Sequence, residues 1–417
     1  MVNRYLIGAG GAAVRGNGTM QSDRLVVISG DCHAVGRPED YAPYIEPGYR
    51  DRYDEFVAGQ QAEARRVAEA VEGNRSLFSK EGTAEYEQQE AVAAGGREGQ
   101  WDSDRRIKEL EADGVAAEVV FPNGGVPFGG FGESAQHELR AVGNRAYNRW
   151  LADFCSGVVE RRAPLATLAV HDISATVAEI HWARDHGFRG IILPTVPGDG
   201  LPPYYDPCYE PLWSACEDTG LPLHVHGGAG TPEYGDYGAV SMMIYATETT
   251  YFAHRPLWFL IWSGVLERHP GMTFVFTESC ADWVPLTLRY LDMIYDKPFF
   301  SHIRATVKHR PSEYWERQCF VSASFMTAEE AAIRHEIGLH KLMWGSDYPH
   351  VEGVWPRSME SLATTMAGVP RDEAEAILSG TPASVYGFDL AALQPVADRI
   401  GPTASQLHLT EPAGPAQ

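Results

Sequence analysis

Short runs of apolar residues alternate with longer segments of helical periodicity along most of this chain. The apolar runs have the length of buried strands and lie at 25–33, 114–123, 162–170, 189–195, 221–228, 272–279, 319–325 and 341–348. Segments of helical length lie between many of them, at 134–157, 174–187, 209–220, 256–269 and 328–338. Strands that alternate with helices predict an α/β fold, and eight of them favour a (β/α)8 barrel over an open doubly wound sheet, a choice that periodicity alone leaves open.

The pattern assigns most of the chain to a single domain over residues 23–392. Residues 49–100 interrupt the alternation, because they are charged and helical in composition, and they predict a helical insertion after strand 1. Such an insertion serves as a lid, as a dimer contact or as a solvated excursion without chemistry. Residues 1–22 and 393–417 predict a flexible leader and a poorly ordered tail. The glycine-rich stretch at 8–18 lacks the uninterrupted helix that a dinucleotide-binding loop requires.

Composition and charge exclude several classes of function. Hydrophobic residues make up 44% and charged residues 22% of the chain, as in soluble globular proteins, and no apolar run approaches the ~20 residues of a membrane span. A formal net charge of −22 disfavours nucleic acid and anionic membranes as partners. The start has no secretory signal pattern, so we expect a cytoplasmic protein. The six cysteines are dispersed without a CxxC pair, which predicts reduced thiols.

His and Asp residues stand where several of the predicted strands end. Asp31 and His33 alternate along strand 1, so both side chains point to the same face. His224 and His226 repeat this spacing on strand 5, and Asp347 follows strand 8. The strand ends of a barrel meet at one mouth, where barrel enzymes carry their active sites. Carboxylates and imidazoles brought together there suit Zn, Mn or Fe, whereas the Asp31–His33 pair alone favours a metal only weakly over a hydrogen-bonded pair that holds a loop.

Further candidates lie close to these strand ends. Glu278 closes strand 6 and is a candidate for a metal ligand, a general base or a helix-start residue. Arg255, in the sequence AHRPLW, would anchor a carboxylate if it reached the pocket. Nearby aromatic residues favour a planar, ring-bearing small molecule as substrate, although aromatic residues also pack cores. The candidates for contact with substrate are His224, His254, Arg255, Trp283 and His350.

Together these motifs resemble the amidohydrolase superfamily, in the branch that includes amino-carboxymuconate-semialdehyde decarboxylase. The likeness extends from about residue 24 to 390 and is carried by ISGDCHAVGRPEDY, WDSDRRIKELEADGVAAEVVFPN, LPLHVHGG, SGVLERHPGMTFVFTES and, above all, MWGSDYPHVEG. The resemblance implies a distorted (β/α)8 TIM barrel that acts on a small molecule, and a homodimer. It also implies one divalent metal ion, with zinc the first choice and Mn or Fe as alternatives. The implied ligands are Asp31, His33, His226 and Asp347.

The chain departs from this branch at Glu278, where relatives commonly carry a catalytic histidine. Two activities remain open. In a hydrolase of an amide, ester or lactone, metal-activated water attacks the carbonyl, Asp347 shuttles the proton and Glu278 assists. In a non-oxidative decarboxylase of an aromatic or unsaturated acid, Asp347 protonates the carbon that loses CO2. Glu278 slightly favours hydrolysis. A barrel that binds metal without catalysis is a remote third interpretation.

Overall fold

The computed structural model describes residues 22–74, 98–123, 126–129, 136–228, 230–232, 234–235, 237–350 and 352–412. The predicted leader therefore lies outside the described residues, apart from residue 22. Of the predicted insertion, the structure describes a helix over Arg50–Asn74 and a turn of 3-10 helix over Glu98–Gln100, and residues 75–97 lie outside the described part.

Eight parallel strands form one sheet, and each strand pairs with the next in chain order. At the end of the sheet, the backbone N–H of Asp347 donates to the carbonyl of Asp31 (2.9 Å), and that of His33 donates to the carbonyl of Tyr348 (2.6 Å). The last strand thus returns to the first, and the predicted (β/α)8 TIM barrel is confirmed. The strands are β1 (Ile28–Ala34), β2 (Ala117–Pro122), β3 (Arg162–Thr167), β4 (Gly190–Ile192), β5 (Leu223–His226), β6 (Phe274–Thr277), β7 (Cys319–Ser324) and β8 (Leu342–Gly345).

Helices surround the sheet. Most predicted helices are present, although residues 328–338 form two short helices rather than one. Within the described ranges, none is both long and apolar enough to cross a bilayer. The helices are α1 (Pro38–Tyr41), α2 (Arg50–Asn74), α3 (Ser103–Ala112), α4 (His137–Cys155), α5 (Ile173–Asp185), α6 (Glu210–Thr219), α7 (Ala239–Trp262), α8 (Val265–Arg268), α9 (Trp283–Asp296), α10 (Pro311–Gln318), α11 (Ala328–Ala332), α12 (Arg334–Ile337), α13 (Ser358–Thr365), α14 (Arg371–Glu375), α15 (Thr381–Tyr386) and α16 (Leu390–Ile400).

The hydrophobic core has two layers, which follow from the alternation of side chains along each strand. On β2, Val119 and Phe121 belong to the cluster that fills the barrel interior. Val120, between them, packs instead in the layer between the sheet and the outer helices. Both faces of the strands are therefore buried, which explains why they are continuous apolar runs in the sequence.

Two boundaries differ from the sequence prediction. Helix α7 begins at Ala239, well before the predicted start at Pro256, which lies inside the helix. Its first half exposes apolar residues such as Met243 and so lacks the single apolar stripe on which the prediction depended. The folded domain also extends past residue 392, because α16 buries Leu393 and Ala397 beneath the barrel. Composition predicted a poorly ordered tail over 393–417. Up to residue 412, however, the segment is described, and burial of its apolar side chains rather than composition decides that it folds.

Candidate metal centre

The strand ends bring together imidazoles and carboxylates from β1, from β5, and from the turns that follow β6 and β8. The ligand atoms of Asp31, His33, His226 and Glu278 all lie within 4.8 Å of one another, and the same is true of His33, Asp347 and His350. Because His33 belongs to both groups, they form one centre. Six of the predicted site residues meet here: Asp31, His33, His226, Glu278, Asp347 and His350.

His33 and His226 present the same ring nitrogen, Nε2, to the centre. Nε2 of His33 lies 3.3 Å from Oδ1 of Asp31 and 3.1 Å from Oδ1 of Asp347. Nδ1 of His33 lies 2.7 Å from the carbonyl of Pro122, and Nδ1 of His226 lies 2.9 Å from the carbonyl of Gly227. A carbonyl only accepts hydrogen bonds, so each Nδ1 carries the hydrogen and each Nε2 offers a lone pair to a cation.

Within the described part of the chain, several buried polar atoms at the centre lie close to one another as ion pairs but make no hydrogen bond of good geometry. They include Nε2 of His33, Nδ1 of His350 and both carboxylate oxygens of Asp347. The side chain of Asp347 is completely buried, and an unpaired buried polar group costs about 1–3 kcal/mol. A divalent cation among these atoms would satisfy them, and two carboxylates with two imidazoles are a donor set that Zn, Mn and Fe accept. The residues present therefore fit the predicted metal ion.

The electrostatics of the centre show strong coupling between the acids and the imidazoles. Burial opposes ionisation of Asp31, but His226 and His33 outweigh it and hold the pKa of Asp31 well below its usual range. Burial likewise disfavours a charged His33, yet Asp31 raises the pKa of this imidazole well above its ordinary value. The pKa of His226 is raised by Asp31 and Glu278 against its own burial. Both shifts favour the protonated rings, so protons would compete with a metal ion for these nitrogens.

The backbone at the strand ends is shaped to bring these side chains close. Glu278 and Asp347 adopt left-handed backbone conformations, with φ of 49° and 55°, which few residues other than glycine adopt. A Cβ at Gly227 would lie 2.1 Å from the carbonyl oxygen of Glu278, and one at Gly345 would lie 2.7 Å from Cβ of Asp31. Glycine at these two positions is therefore required for neighbouring strand ends to approach.

Glu278 lies at the rim of the centre. Its Oε2 is 3.2 Å from Nδ1 of His226, and its side chain is 20% exposed. Burial is the largest influence and raises the pKa of this carboxyl to about 8; His226 opposes that shift, while Asp347 and Asp31 add to it. Glu278 thus combines solvent contact with a carboxyl pKa raised to about 8.

His350 also belongs to the centre. Its ring stacks on that of His33 with 4.1 Å between ring centroids, and its Nδ1 lies 2.8 Å from Oδ1 of Asp347. With 24% of its side chain exposed, it lies at the mouth, where the sequence predicted contact with substrate.

Another pair of predicted substrate contacts lies behind the end of β6. The rings of His254 and Trp283 stack at 3.9 Å, and Nε2 of His254 donates to the carbonyl of Ser279 at 2.8 Å. Burial lowers the pKa of His254 to about 4, so its ring is neutral at pH 7. The indole of Trp283 donates to the carbonyl of Cys280. These contacts support the strand end that carries Glu278.

The structure does not bring His224 and Arg255 to the centre. The ring of His224 is fully buried in the barrel interior, with Nδ1 on the carbonyl of Ile191 and Nε2 on the hydroxyl of Tyr386. The guanidinium of Arg255 lies over the rings of Phe252 and Phe259 on α7. The hydrogen bonds of His224 thus lie within the core, and the contacts of Arg255 are with aromatic rings of its own helix.

Sequence reasoning missed Ser324, whose hydroxyl donates to Oδ2 of Asp31. The serine lies at the end of β7, the same strand-end position that identified the other residues, so its place was a usable signal. Cys32, between Asp31 and His33, donates from Sγ to the hydroxyl of Ser29 and is fully buried, which raises the pKa of the thiol.

Comparisons with known proteins agree with this geometry. A family model described as Amidohydrolase matches residues 94–388. The chain belongs to the amidohydrolase family. The resemblance noted from the sequence motifs is thereby confirmed, and the protein is an enzyme. No curated protein matches the chain.

Solved structures of the same fold include decarboxylases. This amidohydrolase is similar to 5-carboxyvanillate decarboxylase from Sphingomonas paucimobilis, with 18% identity, a TM-score of 0.62 and coverage of 88% of this chain and 100% of that one. An amidohydrolase from Mycobacterium avium subsp. paratuberculosis shares 15% identity at a TM-score of 0.66, over 87% and 99% of the two chains. Dihydroxybenzoic acid decarboxylase from Polaromonas was solved with manganese and the inhibitor 2-nitroresorcinol. It shares 14% identity at a TM-score of 0.59, over 87% of this chain and 97% of that one. At identities this low, the structural likeness establishes the common fold alone.

Proposed function

We propose that this amidohydrolase is a metal-dependent, non-oxidative decarboxylase of a small aromatic or unsaturated carboxylic acid. The observation that carries the proposal is the position of Glu278, a partly exposed carboxyl that holds a proton beside the buried donor set. Decarboxylation needs such a group, because the carbon that loses CO2 must gain a proton. The two decarboxylases of aromatic acids among the neighbours support this activity over the hydrolysis that the sequence slightly favoured.

The residues proposed to hold the metal ion are Asp31, His33, His226 and Asp347. A divalent ion there would supply positive charge for the substrate carboxylate and for the electron pair left on carbon. Zinc was the first choice from the sequence, and the manganese in the Polaromonas enzyme supports that metal as the alternative. Elemental analysis of the purified protein, with activity measured after reconstitution by each metal, distinguishes the two.

The proton transfer follows from the relative burial of the two acids. As the bond between the ring carbon and the carboxyl group breaks, its electron pair stays on the ring carbon and CO2 leaves. Glu278 then gives its proton to that carbon and is reprotonated from solvent, with which it has contact. Asp347 is completely buried between His33 and His350 and serves as a metal ligand in this scheme. This reassigns to Glu278 the proton that the sequence analysis gave to Asp347.

The test is an assay of the reconstituted enzyme in D2O with a panel of hydroxy- and aminobenzoic acids. We expect release of CO2 and one deuterium at the carbon that lost the carboxyl group. Glu278→Gln should bind metal normally while kcat falls by about 10²–10⁴-fold, the usual contribution of a general acid. A carboxyl that must donate a proton acts below its pKa, so wild-type kcat should fall as the pH rises through about 8. A bound cation lowers the pKa of a nearby carboxyl, so in the metal-loaded enzyme the fall should come at lower pH.

Hydrolysis is the second candidate, and Asp347 favours it because its carboxylate, which has only the imidazoles of His33 and His350 beside it among the described residues, would accept a proton from water. The same enzyme preparation is therefore assayed with aryl amides and lactones. Their turnover without release of CO2 from any acid would replace the decarboxylase proposal. The homodimer and the cytoplasmic location stay predictions from the sequence.

A further inference from the structure

Arg106, on helix α3, is fully buried and contacts both edges of the seam between β1 and β8. Its Nη1 donates to the backbone carbonyl of His33 at 2.7 Å. Its Nε and Nη2 donate to the carboxylate of Glu118 at 2.8 and 2.6 Å. Its guanidinium lies over the ring of Tyr348, with 4.7 Å to the ring centroid. The side chain of Arg106 thus contacts the main chain of His33, a proposed metal ligand. It also contacts Tyr348, the residue that follows the proposed ligand Asp347.

The seam itself explains why these contacts matter for the site. The backbone N–H of His33 donates to the carbonyl of Tyr348 at 2.6 Å, and that of Asp347 donates to the carbonyl of Asp31 at 2.9 Å. These bonds set the register that places Nε2 of His33 3.1 Å from Oδ1 of Asp347. Arg106 holds the same two strand ends from the outside of the barrel. The hydroxyl of Tyr348 is held by Glu109, one turn further along α3.

We propose that Arg106 is a positioning residue that fixes the spacing of His33 and Asp347 and thereby the affinity and geometry of the metal centre. The inference rests on the proposed metal centre. Taking charged groups out of water is costly, and a buried ion pair is weak evidence of a contribution to stability. A planar guanidinium makes the bonds to Glu118 and to the carbonyl of His33 at once, whereas the single ammonium of lysine cannot reproduce that fork.

The same ion cluster provides a matched control. Arg162 is also fully buried, and its Nε donates to Glu118 at 2.9 Å. Its remaining described contacts are with Ser103 and Phe154 and not with His33. Arg106→Lys and Arg162→Lys therefore disturb the same buried carboxylate, but only Arg106→Lys alters the support of the metal centre.

The experiment compares metal binding by the two full-length variants and the wild type. Metal is removed, Co²⁺ is titrated against a competing chelator, and the visible spectrum of bound Co²⁺ is recorded. We expect both variants to melt at lower temperature. Arg106→Lys should bind Co²⁺ about 10–100-fold more weakly, as is typical when an outer-shell partner is lost, with an altered spectrum. Arg162→Lys should bind within about twofold of the wild type, with an unchanged spectrum.

Equal affinities and spectra for the two variants would overturn the inference and make Arg106 a structural residue only. Failure of the wild type to bind Co²⁺ would overturn the proposed metal centre together with it, so the two failures are distinguishable. If Arg106→Lys does not fold, Tyr348→Leu takes its place, because it removes the ring beneath the guanidinium and leaves the ion cluster intact. A loss of affinity of about tenfold in that variant supports the inference, and an unchanged affinity overturns it.

Discussion

Nε2 of His33 lies 3.1 Å from Oδ1 of Asp347, although one residue belongs to the first strand and the other follows the last. The contact exists because the barrel closes, and the N–H of Asp347 donates to the carbonyl of Asp31 at that seam. The donor set and the closure of the barrel therefore depend on the same few residues. A cation held between His33 and Asp347 would stabilise the seam as well as the site.

Removal of the metal should lower the thermal stability of the protein. A ligand that binds only the folded state, present at 100 times its Kd, stabilises that state by about 2.7 kcal/mol. We therefore expect chelation to reduce Tm by several degrees and stoichiometric metal to restore it. Differential scanning calorimetry before and after chelation measures the change. An unchanged Tm would argue against a cation at the seam.

Asp347→Asn should weaken metal binding by more than the factor of about 10–100 that is typical when an outer-shell partner is lost. The amide keeps the volume of the side chain but loses the negative charge that faces His33 and His350. Isothermal titration with Zn²⁺ or Mn²⁺ measures the affinity. Asp218→Asn, at an exposed position on α6, is the matched control and should bind as the wild type does. Equal affinities for the two variants would remove Asp347 from the ligand set.

His224→Gln should reduce stability and leave metal binding intact. The change removes the bond from the imidazole to the carbonyl of Ile191 and disturbs the partner of Tyr386 in the barrel interior. A buried polar group left unpaired costs about 1–3 kcal/mol, so the free energy of unfolding in urea should fall by that amount. His226→Gln, two residues along the strand, should instead lose the metal. A rise in KM without a loss of stability in His224→Gln would restore the substrate contact predicted from sequence.

Asp113 should make the protein less stable as the pH rises from 4 to 7. Its buried carboxyl accepts from the N–H and the hydroxyl of Ser358, but burial dominates and raises its pKa from 3.8 to about 7. A carboxyl with a raised folded-state pKa contributes its stability below pH 3.8 and loses it as the pH rises through 7. The loss is on the order of 4 kcal/mol, because the shift of about 3 pKa units corresponds to about 1.36 kcal/mol per unit.

Asp113→Asn tests this linkage, because the amide keeps an acceptor for Ser358 and does not titrate. Urea unfolding at pH 5 and pH 8 should show the variant gaining stability relative to the wild type as the pH rises. Parallel pH dependences for the two proteins would contradict the assignment.

The local pattern of the sequence determined the strands and the position of the proposed ligands along them. A buried parallel strand is a short apolar run whatever lies beside it, so all eight strands could be predicted. Asp31, His33, His226 and Asp347 stand where such runs end, and the ends of barrel strands share one mouth. These predictions depend on period and position, which a sequence contains.

Only the tertiary structure decided the depth, the neighbours and the roles of side chains. His224 and His226 have the same local pattern, yet His224 bonds to Tyr386 in the interior and His226 reaches the centre. Arg106 and Arg255 are both arginines on helices, but the first supports the site and the second lies over phenylalanines. Apart from the contacts of Arg255 within its own helix, these pairings join residues far apart in the chain. Burial, which sets hydrogen bonds and pKa values, exists only once the barrel has closed.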